Sequence, residues 1–124
     1  MILADGQSAS ARTALHFAQS AIRQGFHIRC LFFYHQGVYL ASNLTVCPQD
    51  ENDLAKAWQN FIEQHQLPAI ACIASALKRG IINPEEAARY QRPADNLHPA
   101  FILGGLGSWL EAVKSADQHV IFKP

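Results

Sequence analysis

The chain predicts a three-layer α/β/α domain around a mostly parallel, five-stranded sheet whose first strand is short. Three observations carry this expectation. Apolar runs of strand length, such as Ile28–Tyr34 and Ala69–Ala71, alternate with stretches whose apolar residues recur at helical spacing. Cap residues, glycines and prolines punctuate the boundaries between them. With 124 residues, no internal repeat and no linker-like segment, residues 1–124 read as one domain, large enough for a single packed core.

Taken in order, Met1–Ala4 is a very short first strand, and Asp5-Gly6-Gln7-Ser8 turns the chain toward a helix that Ser8 or Ser10 can cap. That helix lines up Ala11, Leu15, Ala18 and Ile22 on one face and ends at Gly25. Ile28–Tyr34 is continuously apolar enough to be a strand buried on both sides, with Cys30 in its middle. A loop, His35–Tyr39, and a polar segment through Asp53 follow. Leu54, Ala57, Trp58, Phe61 and Ile62 mark an amphipathic helix, capped by Asp50 or Asn52 and broken by Leu67-Pro68. Ala69–Ala71 is the third strand and runs into Cys72 and a helix stopping at Gly80. Asn83-Pro84-Glu85-Glu86 starts another helix: a cap, a first-turn proline and acids near the positive dipole end. Arg92–Asn96 is loop, Phe101–Leu103 the fourth strand and Gly104–Gly107 a turn. Ser108–Ser115 is the last helix, and Val120–Phe122 closes the sheet.

Composition narrows the function. Ten basic residues balance ten acidic ones, and no segment builds a basic face, so direct nucleic-acid binding is not expected. Charged residues make up only 16% against 49% hydrophobic, which places some apolar surface in subunit contacts and makes self-assembly possible. Cys30, Cys47 and Cys72 are odd in number and irregular in spacing, unlike a disulfide framework or a zinc site. The six histidines are scattered, so no metal and no cofactor is expected. No signal peptide and no membrane-length apolar run is seen, and the expectation is a cytoplasmic protein with reduced thiols.

In open parallel sheets, ligands and reactive groups collect beyond the carboxyl ends of the strands. Asp5–Ser8, the loop at His35, Cys72 and Gly104–Gly107 should gather there. Gly104-Gly105-Leu106-Gly107 matches neither the dinucleotide nor the P-loop pattern, and a tight strand-to-helix turn needs glycine anyway. Ser8 and Ser10 lack a nucleophile-elbow motif. Cys72 is different: a thiol between a strand and a helix meets unpaired backbone N–H groups that favour the thiolate, the reactive form. The opposite reading is a buried, inert cysteine. His35 is a candidate to assist, as proton donor or by orienting a sulfur. Cys47, before Pro48 in a polar loop, is expected to be the most exposed thiol and ranks second. Trp58 and Trp109 are core or interface anchors.

Three segments resemble a known family. Phe32–Tyr39, then Cys72–Gly80, then Leu103–Gly107 stand in the order and spacing of the DsrE/TusD sulfur-relay family, most of all its TusD branch. The likeness continues through Ala14–Gln19, Ala57–Gln59 and Ser115–Asp117. The resemblance implies a sulfurtransferase that holds sulfur as a persulfide on Cys72 and relays it toward 2-thiolation of the tRNA wobble uridine. It further implies TusB-like and TusC-like paralogues in a heterohexamer, a TusA-like sulfur donor and a TusE-like acceptor. Family members usually begin with a longer first strand and often carry a charged pair where this chain has His35-Gln36. Three alternatives remain open: a non-catalytic structural subunit of such a complex, a DsrE-like carrier in sulfur oxidation, and a small-ligand or nucleotide-binding α/β domain.

Overall fold

A computed structural model describes residues 2–3, 9–49 and 51–123. Strands β1 (Ile2–Leu3), β2 (Leu31–Phe33), β3 (Ala69–Cys72), β4 (Ile102–Gly104) and β5 (Ile121–Phe122) alternate with helices α1 (Ala9–Arg23), α2 (Leu54–His65), α3 (Ile73–Lys78), α4 (Pro84–Arg89) and α5 (Leu106–Ser115). The expected α/β architecture with a parallel sheet is present: every strand pairing is parallel, in the order β4-β3-β2-β1-β5. Five full strands are not. Only β2, β3 and β4 exceed two residues, so the body of the sheet is three-stranded, with β1 and β5 continuing it as two-residue pairings.

Chain order steps one way across the sheet from β1 to β4, then jumps back to β5. Because parallel crossovers are right-handed, this reversal puts α5 on the opposite face from α1 and α2. Packing agrees. Trp58 of α2 donates its indole N–H to the Ala11 carbonyl of α1 at 3.2 Å and stacks edge-on against Phe33. Leu31, Phe33, Ala69, Ala71 and Phe101 join these helices in the principal hydrophobic cluster.

The helix ends follow their sequence signals. Gly25, at φ +87°, closes α1 with the Phe26 N–H on Ala21 O and the Gly25 N–H on Ile22 O, a pair of hydrogen bonds to the last carbonyls that needs left-handed backbone. Gly80 ends α3 the same way, through Ile81 to Ala76 O and its own N–H to Leu77 O. Asn83 caps α4 by accepting from the Glu86 N–H.

Several expectations are corrected. Ser10 lies inside α1, one residue past its start, and is not a cap; Ser8 and the Asp5–Ser8 turn lie outside the described residues. The strand drawn from Ile28 to Tyr34 contracts to Leu31–Phe33, because its neighbours β1 and β3 offer partners only over that stretch. Cys30 therefore precedes the strand instead of sitting within it. His35–Ala41 is a 3₁₀ helix, not a loop, with Gly37, Val38, Leu40 and Ala41 buried. The cap of α2 is Asp53, whose carboxylate accepts from the Lys56 N–H at 3.0 Å, not Asn52; Asp50 is outside the described residues. Gly104 belongs to β4, and α5 starts at Leu106, two residues early.

Candidate functional site

Parallel strands send their carboxyl ends to one edge, so His35 after β2, Cys72 at the end of β3 and Gly104 at the end of β4 share it. Cys72 pairs in register with Gly104, which brings those two residues side by side. The Asp5–Ser8 segment, expected at the same edge, lies outside the described residues.

Cys72 is both the last residue of β3 and the N-cap of α3, as its position between an apolar run and a small-residue helix predicts. Its backbone is extended, at φ −58° and ψ 121°, and its side chain makes no capping hydrogen bond. The α3 helix is only six residues long, so its dipole is weaker than that of a full-length helix. The thiol is buried, at 3% exposure, yet lies outside the principal cluster. Strand alternation explains this: Cys72 shares a face with Ile70, while Ala69 and Ala71 point into the core.

Gly104 shows why glycine is used beside the thiol. A Cβ there would stand 2.7 Å from Ile70 Cγ2, closer than real contacts allow, and a tight 3.3 Å from Ser108 Oγ. The missing side chain keeps β4 and the first turn of α5 tight against β3.

His35 sits in left-handed backbone at φ 56°, an uncommon conformation for a non-glycine residue. Its backbone N–H donates to Ser75 Oγ at 3.0 Å, and Ser75 is buried on α3. The 3₁₀ segment is thus tied to the Cys72 helix through the main chain. The imidazole itself is exposed and tilts over Tyr34, with ring centroids 6.3 Å apart. Sequence reasoning singled out His35 and missed Ser75; its one signal is a lone hydroxyl in Ile73-Ala74-Ser75-Ala76, three residues past the cysteine.

The other thiols separate by environment. Cys30 is half-buried, donates weakly to Leu31 O at 3.6 Å, and burial pushes its pKa up, away from the thiolate. Cys47 is also half-buried rather than freely exposed, and its thiol reaches Glu51 O at 3.5 Å. Among the described residues, no group of His, Cys, Asp and Glu could hold a metal ion. No helix of the described residues is long and apolar enough to cross a membrane.

The fold and site define a small parallel α/β protein with a cysteine at the carboxyl edge of its sheet, beside a glycine turn that matches no phosphate-loop pattern. The chain belongs to the DsrE/DsrF-like family, whose model matches residues 1–122. It is 49% identical over 115 residues to a protein of Pseudomonas aeruginosa named sulfurtransferase TusD homolog, covering 93% of this chain and 88% of that one. It is 44% identical over 112 residues to the sulfurtransferase TusD of Salmonella enteritidis, covering 90% and 88%. The DsrE protein of Allochromatium vinosum is 39% identical over 116 residues, covering 94% and 89%. Among solved structures, the ychN protein from E. coli superposes with a TM-score of 0.73 at 19% identity, over 98% of this chain and 96% of that one, a likeness of fold.

Proposed function

We propose that this chain is a sulfurtransferase that carries sulfur as a persulfide on Cys72 and relays it between proteins, toward 2-thiolation of the tRNA wobble uridine. The observation that supports it most is the position of Cys72, at the carboxyl end of β3 in register with Gly104, in a chain whose relatives are named sulfurtransferases. The Cys72 thiolate attacks the outer sulfur of a donor persulfide, forming a new S–S bond as the donor's S–S bond breaks and its thiolate leaves. The acceptor's thiolate then attacks that same outer sulfur, and Cys72 departs as thiolate. The outer sulfur moves as a sulfane atom in both steps, so no external oxidant or reductant enters.

A TusA-like donor, a TusE-like acceptor and TusB-like and TusC-like paralogues in a heterohexamer fit this role, as does a cytoplasmic setting that keeps thiols reduced. At 3% exposure, Cys72 needs its surroundings to open before a partner's sulfur can reach it. That burial also favours the second reading, a structural subunit in which Cys72 is only a packed side chain. His35 assists in the first reading by tying the start of its 3₁₀ helix to Ser75 through its backbone N–H.

The two readings separate by intact mass. Wild type and Cys72→Ser are incubated with a cysteine desulfurase, cysteine and the upstream carrier. A reducible gain of one sulfur atom in wild type alone supports the carrier. No gain in either, even with the paralogues present, leaves the structural subunit. A gain in both moves the chemistry to another thiol.

A further inference from the structure

Cys72 ends its strand and is nevertheless only 3% exposed, so a neighbouring side chain covers it. On its face of the sheet the two flanks differ. One is Gly104 of β4, in register and without a side chain. The other is the continuation of β2. The register pairs Phe32 with Ile70 and Phe33 with Ala71, and one step further sets Tyr34 beside Cys72. Tyr34 keeps extended backbone, at φ −131° and ψ 151°, so alternation turns its side chain to the face that Phe32 and Cys72 share. Adjacent strands lie roughly 4.8 Å apart, which puts the phenol ring within reach of the sulfur.

Packing also sets Tyr34 apart from its strand. Phe32 and Phe33 are buried, whereas Tyr34 is 40% exposed and its one aromatic contact is the tilted imidazole of His35. The backbone beneath it is fixed, with Tyr34 O accepting from the Gly37 N–H at 3.0 Å and the His35 N–H held by Ser75. A half-exposed ring on an anchored backbone moves by side-chain rotation alone.

We propose that the Tyr34 ring is the movable cover of Cys72. Closed, it keeps solvent and small thiols from the sulfur; swung aside, it admits a partner's cysteine. The use of this cover rests on the sulfur-carrier reading, while its existence does not. An open persulfide is lost when a small thiolate attacks its outer sulfur, forming a new S–S bond and releasing Cys72 as thiolate. The ring blocks that approach until a protein surface displaces it.

Alkylation of the native chain by iodoacetamide, followed for each cysteine by peptide mass, tests the cover. Cys72 is expected to react slowly in wild type and about tenfold faster in Tyr34→Ala and Tyr34→Val, as a readily opened site does. Tyr34→Phe should keep the wild-type rate, and so should Leu106→Ala, which trims the first turn of α5. Cys30 should react equally in all of them, because a loosened fold would speed both thiols. If Tyr34→Ala speeds both, Tyr34→Val decides, and if both variants do so the proposal falls. An unchanged Cys72 rate in the two variants overturns it. A fast rate in Leu106→Ala alone does the same by placing the cover on α5, and a fast Tyr34→Phe by replacing the ring with its hydroxyl. On persulfide-loaded protein, glutathione should strip sulfur from Tyr34→Ala about tenfold faster than from wild type, and equal rates overturn the shielding. A wild type that takes up no sulfur sinks the carrier reading instead, and the alkylation rates still decide the cover.

Discussion

Phe32 and Phe33 are neighbours on one strand, and they enter two different environments. Phe33 points to the face covered by α1 and α2, where it meets Trp58 and Phe101 edge-on at 5.4 and 5.1 Å. Phe32 points to the face covered by α5 and, though buried, lies outside the principal cluster. The contrast extends along the sheet. Helix α2 buries five of its residues, whereas α5 buries none. On the α5 face, Ile102 and Ile121 remain 60% and 46% exposed. Both faces are made of apolar residues, but one is closed by two long helices packed on each other and the other by a single ten-residue helix. The first face buries the main core; the second leaves much of its apolar surface exposed.

The sharpest way to break this comparison is to truncate the matching tryptophans. Trp58→Ala should cost about 3–5 kcal/mol of unfolding free energy, because a fully buried indole with two ring partners leaves a cavity. Trp109→Ala, on the loose face, should cost under about 1 kcal/mol. Urea denaturation of both, with unchanged slope, reads the difference, and equal losses would mean that the α5 face is as well packed as the other.

Gly104→Ala probes the seam where β4 meets β3 beside Cys72. The added methyl is expected to cost about 1–3 kcal/mol by overpacking against Ile70, while Gly105→Ala, at the N-cap of α5 with open space around it, should cost under about 1 kcal/mol, through the poorer cap alone. A neutral Gly104→Ala would show that β4 and α5 shift freely to make room. Ser75→Ala removes the acceptor of the His35 N–H and should destabilise by about 1 kcal/mol. Its more telling readout is faster amide exchange at His35, which should not change in Asn83→Ala, a cap loss of similar size on α4.

The smallest effect is one of pH. Burial raises the Cys30 pKa, so at pH 8 its alkylation by iodoacetamide should lag behind that of an unfolded control. The sign for stability follows. The unfolded thiol ionises first, so Cys30 leaves stability intact below the ordinary thiol pKa and lowers it as pH rises toward the raised folded value. Alkylation as fast as in the unfolded chain would mean that solvent reaches the Cys30 thiol in the folded protein.

Much of the carboxyl edge was legible in the sequence. The apolar run into Cys72, the glycine at position 80 and the Asn83-Pro84 start each use local signals, and the corresponding boundaries stand in the structure. The His35–Ala41 3₁₀ helix was not legible, because nothing local distinguishes a buried Val38 and Leu40 in a short helix from the same residues in a loop. Cys47, expected to be the most exposed thiol, is half-buried, as Cys30 is. A polar stretch predicts exposure on average, but a turn through Glu51 draws the thiol back onto a backbone carbonyl.

By itself the sequence determined the alternation of strands and helices, the Asn83 cap of α4, and a cysteine at a strand end, since each is a matter of spacing and backbone preference over a few residues. The tertiary structure alone decided that Cys72 is buried beside Gly104, that Ser75 anchors the His35 backbone, and that α5 crosses the face opposite α1 and α2. Those facts depend on strand order and on which helix crosses which face. They arise between residues 30 to 90 positions apart, where no local periodicity records who meets whom.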